Sequence, residues 1–250
     1  MHSYKTEAIV LDSSEIFDTD RSLLLFTYEL GKIRARARGV RKPTSRLAGH
    51  LLPCLPTFIE LAETNGNYLI TSALISGQDA AAYPSDALLF QRQAGIIAET
   101  VNRLFVDGEA HPEIFDGLMY TMDRLRALCG NSDEPRARLV ATEFVVKALA
   151  ELGYRPQLQQ DVVSGQPVGA DFLAWSSLLG GIMGEETYRN HSGQGLRITY
   201  VQSVVALRQL LRPQFVAERI GMPDEVLNEV CALAYDYLQT VVGQPLRSLA

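Results

Sequence analysis

Between Lys32 and Arg46 the chain carries seven of its 23 cationic side chains, Lys32, Arg34, Arg36, Arg38, Arg41, Lys42 and Arg46, and no acidic residue falls between Lys32 and Thr57. Five of the seven are arginine, and in the whole chain arginine outnumbers lysine nineteen to four. A guanidinium meets phosphate or carboxylate through paired donors, where an ammonium offers a point charge. Lys32, Arg34, Arg36 and Arg38 alternate with Ile33, Ala35 and Ala37. Side chains along a strand point to opposite faces with a period of two, so a strand here lines four cations on one face and turns the apolar residues to a core. A helix would scatter the same charges around its circumference. The chemistry such a comb suits is the binding of a polyanion, above all a nucleic-acid backbone. An edge strand guarded against aggregation is the plainer reading, but that task needs one or two charges and not seven.

Catalytic constellations are thin elsewhere. The sequence has no G-x-x-x-x-G-K-[ST] loop, no G-x-S-x-G elbow and no H-E-x-x-H pair, and His2, His50, His111 and His191 stand singly. Cys54, Cys129 and Cys231 form no C-x-x-C pair, which points away from a disulfide framework and fits a reducing cytoplasm. Glu185 and Glu186, with Asp161 and Asp171, suit solvated loops better than a hard-metal site. A second arginine group, Arg124, Arg126, Arg136 and Arg138, is interleaved with Asp123, Asp133, Glu134 and Glu143, as on an ordinary helix surface. These features predict a binding protein rather than an enzyme.

The comb needs a scaffold, and the surrounding apolar runs supply one. Up to residue 73 they are short, rich in β-branched and aromatic residues, and separated by turn residues. Five strands are expected, over 6–11, 21–28, 32–40, 58–63 and 68–73, with Leu30-Gly31 and Asn65-Gly66 as hairpin signals. Five such strands suggest an OB-fold barrel, and the proline-bearing stretch 41–56 reads as a long connection beside its binding face. Phe26, Tyr28, Phe58 and Tyr68 could stack bases from adjoining strands, although core packing is the better role for each. Beyond Tyr83-Pro84 the period changes to about 3.6. Helices are expected over 86–105, 112–128, 135–152, 200–211 and 223–242, with Pro112, Pro135 and Pro223 in first turns and Gly153 as a C-terminal cap. Residues 154–198 break into short pieces too long for a loop and predict a folded insertion. The fold class is therefore α+β: a barrel domain over 1–80 and a mostly helical domain over 81–250. The formal net charge of -6 arises in the second part, since residues 1–80 hold nine basic and nine acidic side chains and the rest hold fourteen and twenty. Local field decides what a groove attracts, so the net charge does not exclude nucleic acid. No apolar run approaches the roughly 18 residues of a membrane span and no apolar leader opens the chain, so neither export nor membrane insertion is expected.

The order of a Gly-Lys strand, a basic run ending Arg38-Gly39-Val40-Arg41-Lys42, Ser45 before Leu47 and Gly49, and Leu51-Leu52-Pro53 resembles the start of the RecO family of DNA-repair and recombination mediator proteins. Ala8-Ile9-Val10-Leu11, Leu23-Leu24-Leu25 after Asp20, Leu152-Gly153-Tyr154-Arg155-Pro156, Val162-Val163-Ser164-Gly165 and Gly180-Gly181-Ile182-Met183 extend the likeness over nearly the whole chain. The resemblance implies an OB-fold and a helical domain, and binding of single- and double-stranded DNA. It also implies strand annealing, and work with RecR and single-strand binding protein to load RecA recombinase in a cytoplasmic, nucleoid-associated setting. Lys32, Arg34, Arg36, Arg38, Arg41, Lys42 and Arg46 become candidate DNA-binding residues. Arg124 and Arg138 become candidates for the acidic tail of single-strand binding protein. An RNA-binding or ribosome-associated OB scaffold is the alternative. Many family members carry two C-x-x-C pairs in the insertion, and here the matching words are Asp161-Val-Val-Ser164 and Gly184-Glu-Glu-Thr187. Such residues cannot supply four thiolate or imidazole ligands, so no zinc is expected and Phe172, Trp175, Leu178, Leu179 and Tyr188 are left to hold the insertion by packing.

Overall fold

A computed structural model describes residues 2–76, 83–169, 171–191, 195–212 and 216–249. The chain begins with five strands: β1 (His2–Ile16), β2 (Asp20–Thr27), β3 (Gly31–Ala37), β4 (Pro56–Thr64) and β5 (Asn67–Ile75). They close into a barrel in the order β1-β2-β3-β5-β4, with β4 returning to β1, and β3 and β5 forming the parallel pair. This is the five-stranded Greek-key closure of an OB-fold. β1 is long because it serves two neighbours: residues 2–9 pair with β4 and residues 8–16 with β2. A register shift between Val10 and Asp12 bends it between the two partners, as barrel closure requires. At Asn65-Gly66 both residues adopt left-handed φ, 53° and 75°, the twist that a two-residue hairpin turn demands.

The inward parity of these strands forms the barrel core. Ala8 and Val10, Leu23 and Leu25, Ile33, Ala35 and Ala37, Ile59 and Leu61, and Ile70 and Ala73 pack there, with Tyr4 and Tyr68 against them. Ile33, Ala35 and Ala37 are thus the apolar side of the alternation in the basic block. β3 is shorter than its sequence pattern suggests: it ends at Ala37, and Arg38 lies in the turn that follows. The outward parity is not uniformly wet. Ile9, Leu24 and Phe26 are fully buried, and the Phe26 ring lies 5.7 Å from Phe105 and 6.1 Å from Phe115.

Phe115 and the residues leading to Phe105 belong to α1 (Ala87–Leu104) and α2 (Pro112–Gly130), which complete the first compact unit, residues 1–132. Asp86 caps α1 by accepting the N–H of Leu89, and Pro112 opens α2. The change from strand to helix falls between Ile75 and Ala87, where the periodicity changes. The compact units divide about fifty residues later than the sequence boundary at 80, between Ser132 and Asp133, because both helices join the barrel's unit.

The second unit, residues 133–250, opens with α3 (Glu134–Glu151), capped by Asp133. The insertion follows as β6 (Ala174–Ser176), β7 (Gly181–Met183), α4 (Glu185–Asn190) and β8 (Leu196–Ile198), the strands forming a sheet in the order β7-β6-β8. α5 (Val201–Leu210) and α6 (Asp224–Val242) complete the unit. Pro223 is the N-cap of α6 and not a residue of its first turn, since its ψ of 150° is extended. Trp175 is buried edge-on to Tyr237, and Phe172 meets Tyr188 at 5.4 Å. Leu178 and Leu179 depart from expectation. They sit at the tip of the β6–β7 hairpin, 75% and 46% exposed, and do not hold the insertion together.

Candidate nucleic-acid interface

β3 begins with a residue that must be glycine. Gly31 has a φ of 63°, and a Cβ there would stand 1.8 Å from the Glu109 carbonyl oxygen. That close approach brings residues 107–110 over the start of the strand, where the N–H of Gly108 donates to the Lys32 carbonyl at 2.8 Å. Lys32 is consequently covered. Its Nζ donates to the Asn102 carbonyl in the last turn of α1 at 2.7 Å and pairs with Asp107 at 3.1 Å, leaving the side chain 9% exposed. The ammonium satisfies a helix-terminal carbonyl that has no partner within its helix. Of the four cations expected on one open face, Lys32 is therefore withdrawn by a segment some seventy residues away in sequence.

The remaining cations run from the middle of β3 into the following turn. Arg34 is exposed, opposite Leu24 on β2. Arg36 is half-buried and donates through Nε and Nη2 to Oδ2 of Asp20, at 2.8 and 2.5 Å. Arg38, Lys42 and Arg46 are exposed. Arg41 forms a surface ion pair with Glu15 at 2.9 Å. Among the described residues no carboxylate pairs with Arg34, Arg38, Lys42 or Arg46. The strip thus has four cations open to an anion, two that already hold a carboxylate, and one that is buried.

Asp20 organises the far end of this strip. Beyond Arg36, its Oδ1 accepts the Gly39 N–H at 2.7 Å and the Thr19 hydroxyl at 3.1 Å, and the Arg41 N–H donates to the Thr19 carbonyl at 3.0 Å. The Gly39 N–H first, and the Arg36 guanidinium next, hold the Asp20 carboxyl below its ordinary range. The turn after β3 is thereby laced to the turn between β1 and β2.

That second turn presents a residue absent from the sequence candidates. Phe17 is 74% exposed, and the Arg36 Cζ lies over its ring, 4.8 Å from the centroid. The signal available in the sequence was slight: a lone aromatic between Ile16 and the polar Asp18-Thr19-Asp20, where no core was expected. The four aromatics singled out from sequence divide evenly. Phe26 is fully buried and Tyr68 packs on the barrel core, while Tyr28 and Phe58 are 38% and 41% exposed. Arg124 belongs to the first unit, its guanidinium 5.2 Å over the Tyr120 ring. Arg138 belongs to the second, where it is half-buried beside Cys231 and Tyr235. All three cysteines are buried and free, and burial pushes the Cys54 thiol up to about 12 and Cys129 to about 11, so neither presents a thiolate at neutral pH.

Residues 1–77 match the family described as Recombination protein O N terminal, and residues 93–250 match Recombination protein O C terminal. The chain belongs to the RecO family. A DNA repair protein RecO of Desulfitobacterium hafniense is 31% identical over 250 residues, covering 99% of this chain and 88% of its own. One of Bifidobacterium longum subsp. infantis is 31% identical over 249 residues, covering 100% and 98%. One of Heliobacterium modesticaldum is 34% identical over 200 residues, covering 78% and 70%. The N-terminal RecO match embraces the barrel and every residue of the basic strip. Among the described residues no helix is long and apolar enough to cross a membrane.

A tetrahedral zinc of the kind that two C-x-x-C pairs would hold does not fit the residues of this insertion. At the four matching positions stand Asp161, Ser164, Gly184 and Thr187, and the Asp161 carboxylate is already committed. Oδ1 accepts the N–H groups of Val163 and Ser164, each at 2.9 Å, and Oδ2 accepts that of Gly184 at 2.8 Å. Burial acts to raise this carboxyl, but the N–H groups of Ser164, Gly184 and Val163 and the Thr187 hydroxyl outweigh it and bring it to about 2. A hydrogen-bonded carboxylate therefore ties the segment 161–164 to 184–187, joining the two places a metal would otherwise connect.

Proposed function

We propose that this RecO-family protein is a non-enzymatic mediator of recombinational repair. In this reading it binds single- and double-stranded DNA along Arg34, Arg36, Arg38, Arg41, Lys42 and Arg46, anneals complementary strands, and helps load recombinase onto strands coated with single-strand binding protein. The supporting observation is a row of cations on the outward parity of β3 and the turn after it, with Arg34, Arg38, Lys42 and Arg46 free of carboxylate partners among the described residues. Cations on a rigid barrel neutralise two phosphate backbones at once, and the lost repulsion lets complementary strands approach. Arg41 contributes by exchanging a carboxylate for a phosphate, which for its solvent-exposed pair with Glu15 costs about 0–1 kcal/mol; Arg36 keeps its two bonds to Asp20 and contributes its charge to the field of the strip. RecR, the recombinase RecA and the acidic tail of single-strand binding protein are the expected partners, with Arg124 and Arg138 each a separate candidate contact for the tail.

The test is an annealing assay on complementary oligonucleotides, bare and coated with single-strand binding protein, paired with binding measured against salt. Four open cations give a slope of log affinity on log salt of roughly -3 for single strands and -4 for duplex. No acceleration of annealing, or a slope near zero, would overturn the proposal. Tighter binding to RNA than to DNA of the same sequence would favour an RNA scaffold instead.

A further inference from the structure

We propose that Phe17 is a base-stacking platform that gives the basic strip an added grip on single-stranded DNA. The proposal rests on the phosphate-binding reading of that strip and adds to it a contact with the bases. Phe17 has no packing role that explains it: the side chain is 74% exposed on the turn between β1 and β2. Its φ of 55° places a bulky residue in the left-handed region, which glycine or asparagine would occupy at less cost. A large apolar ring kept in water on a backbone that disfavours it is the pattern of a contact residue.

The surroundings define what it contacts. Arg36 backs the ring at 4.8 Å, and Arg36 is itself fixed by two donations to Asp20, which is buried and further held by Gly39 and Thr19. The guanidinium therefore cannot swing away without breaking the link between the two turns. A cation held over an aromatic face leaves the rest of the ring for a base, and such stacking is tolerant of sequence because every base has a π-face. Arg34 and Arg38, flanking Arg36 on the same strand and the turn after it, would carry the phosphates of the nucleotides whose base reaches Phe17. In a duplex each base is already stacked on its neighbours and is out of reach, so only single strands gain.

The experiment compares the full-length protein with Phe17→Ala, Phe17→Trp and the double variant Arg34→Ala/Arg38→Ala. Probes are a labelled mixed-sequence single strand, the same strand carrying abasic sites, and the corresponding duplex, with thermal melts checking the fold. Phe17→Ala is expected to weaken single-strand binding about five-fold or more while leaving duplex binding within about two-fold, and Phe17→Trp to retain it. On the abasic strand the wild type and Phe17→Ala are expected to bind alike. Equal single-strand affinity of wild type and Phe17→Ala, or equal losses on single strand and duplex, would overturn the stacking role. In that event a loss in Arg34→Ala/Arg38→Ala leaves the phosphate strip standing. An unchanged double variant removes the strip, and the stacking role with it.

Discussion

Lys32 and Arg34 stand two positions apart on the same parity of one strand, and they have opposite roles. Lys32 is spent inside the fold, on the Asn102 carbonyl and Asp107, whereas Arg34 meets solvent. Replacing Lys32 with Ala should lower stability by about 1–3 kcal/mol, because it leaves a part-buried helix-terminal carbonyl without its donor, and leave the salt dependence of DNA binding unchanged. Arg34→Ala/Arg38→Ala should do the reverse, keeping the melting temperature and reducing the magnitude of the salt slope by about two. The two measurements together separate a structural cation from those proposed to bind DNA. The alternation of charge with Ile33, Ala35 and Ala37 was legible from the sequence because side-chain parity is a local property of a strand. The fate of Lys32 was not, because Asn102 and Asp107 reach it only after the chain has closed a barrel and built a helix. Phe17 escaped for a related reason: its neighbours in sequence say nothing about Arg36, which comes within reach when β2 pairs with β3 and Asp20 draws the guanidinium in.

The turn before β3 and the insertion each depend on one position. Gly31→Ala would force a side chain into left-handed backbone and against the Glu109 carbonyl, at a cost of about 3 kcal/mol or more, read as a fall in the midpoint of chemical unfolding. In the insertion, Asp161→Ala removes the acceptor of three backbone N–H groups and should cost about 2–4 kcal/mol. Acid should act on the same bonds. The folded Asp161 titrates near 2 against about 4 in an unfolded chain, so its contribution is fully present above pH 4 and is lost as the pH falls from about 4 toward 2. Asp20 shifts in the same direction, so acid should also loosen the tie between the β1–β2 turn and Arg36. Unfolding followed between pH 5 and pH 2 should show a steeper loss in the wild type than in Asp161→Ala. The five long helices, α1, α2, α3, α5 and α6, were readable nearly to the residue because their apolar periods, and the prolines in the first turns of α2 and α3, are local; α4, inside the insertion, was not foreseen. The misplacement of Leu178 and Leu179 came from treating apolar residues as core where the sequence held only a hairpin tip.

For the molecule as a whole, the division into units is the element that periodicity could not supply. Strands give way to helices between Ile75 and Ala87, yet Ile9, Leu24 and Phe26 point out of the barrel and are buried, with α1 and α2 in their unit. A fragment 1–132 should therefore melt cooperatively and keep its affinity for single strands, while a fragment ending at residue 80 should expose Phe26 and aggregate; light scattering and thermal melts would distinguish them. What the sequence alone determined is what a chain settles over a few residues: strand and helix periods, the hairpin turns, the sign and spacing of the cations, and the words that carry the family likeness. What the tertiary structure decided is which outward-facing residues stay outside. A strand's parity assigns a side chain to a face, but whether that face is later covered depends on segments tens of residues distant. Segment 107–110 buries Lys32, Asp20 fastens Arg36, and only the folded barrel sets Phe17 beside Arg36 within the cationic row.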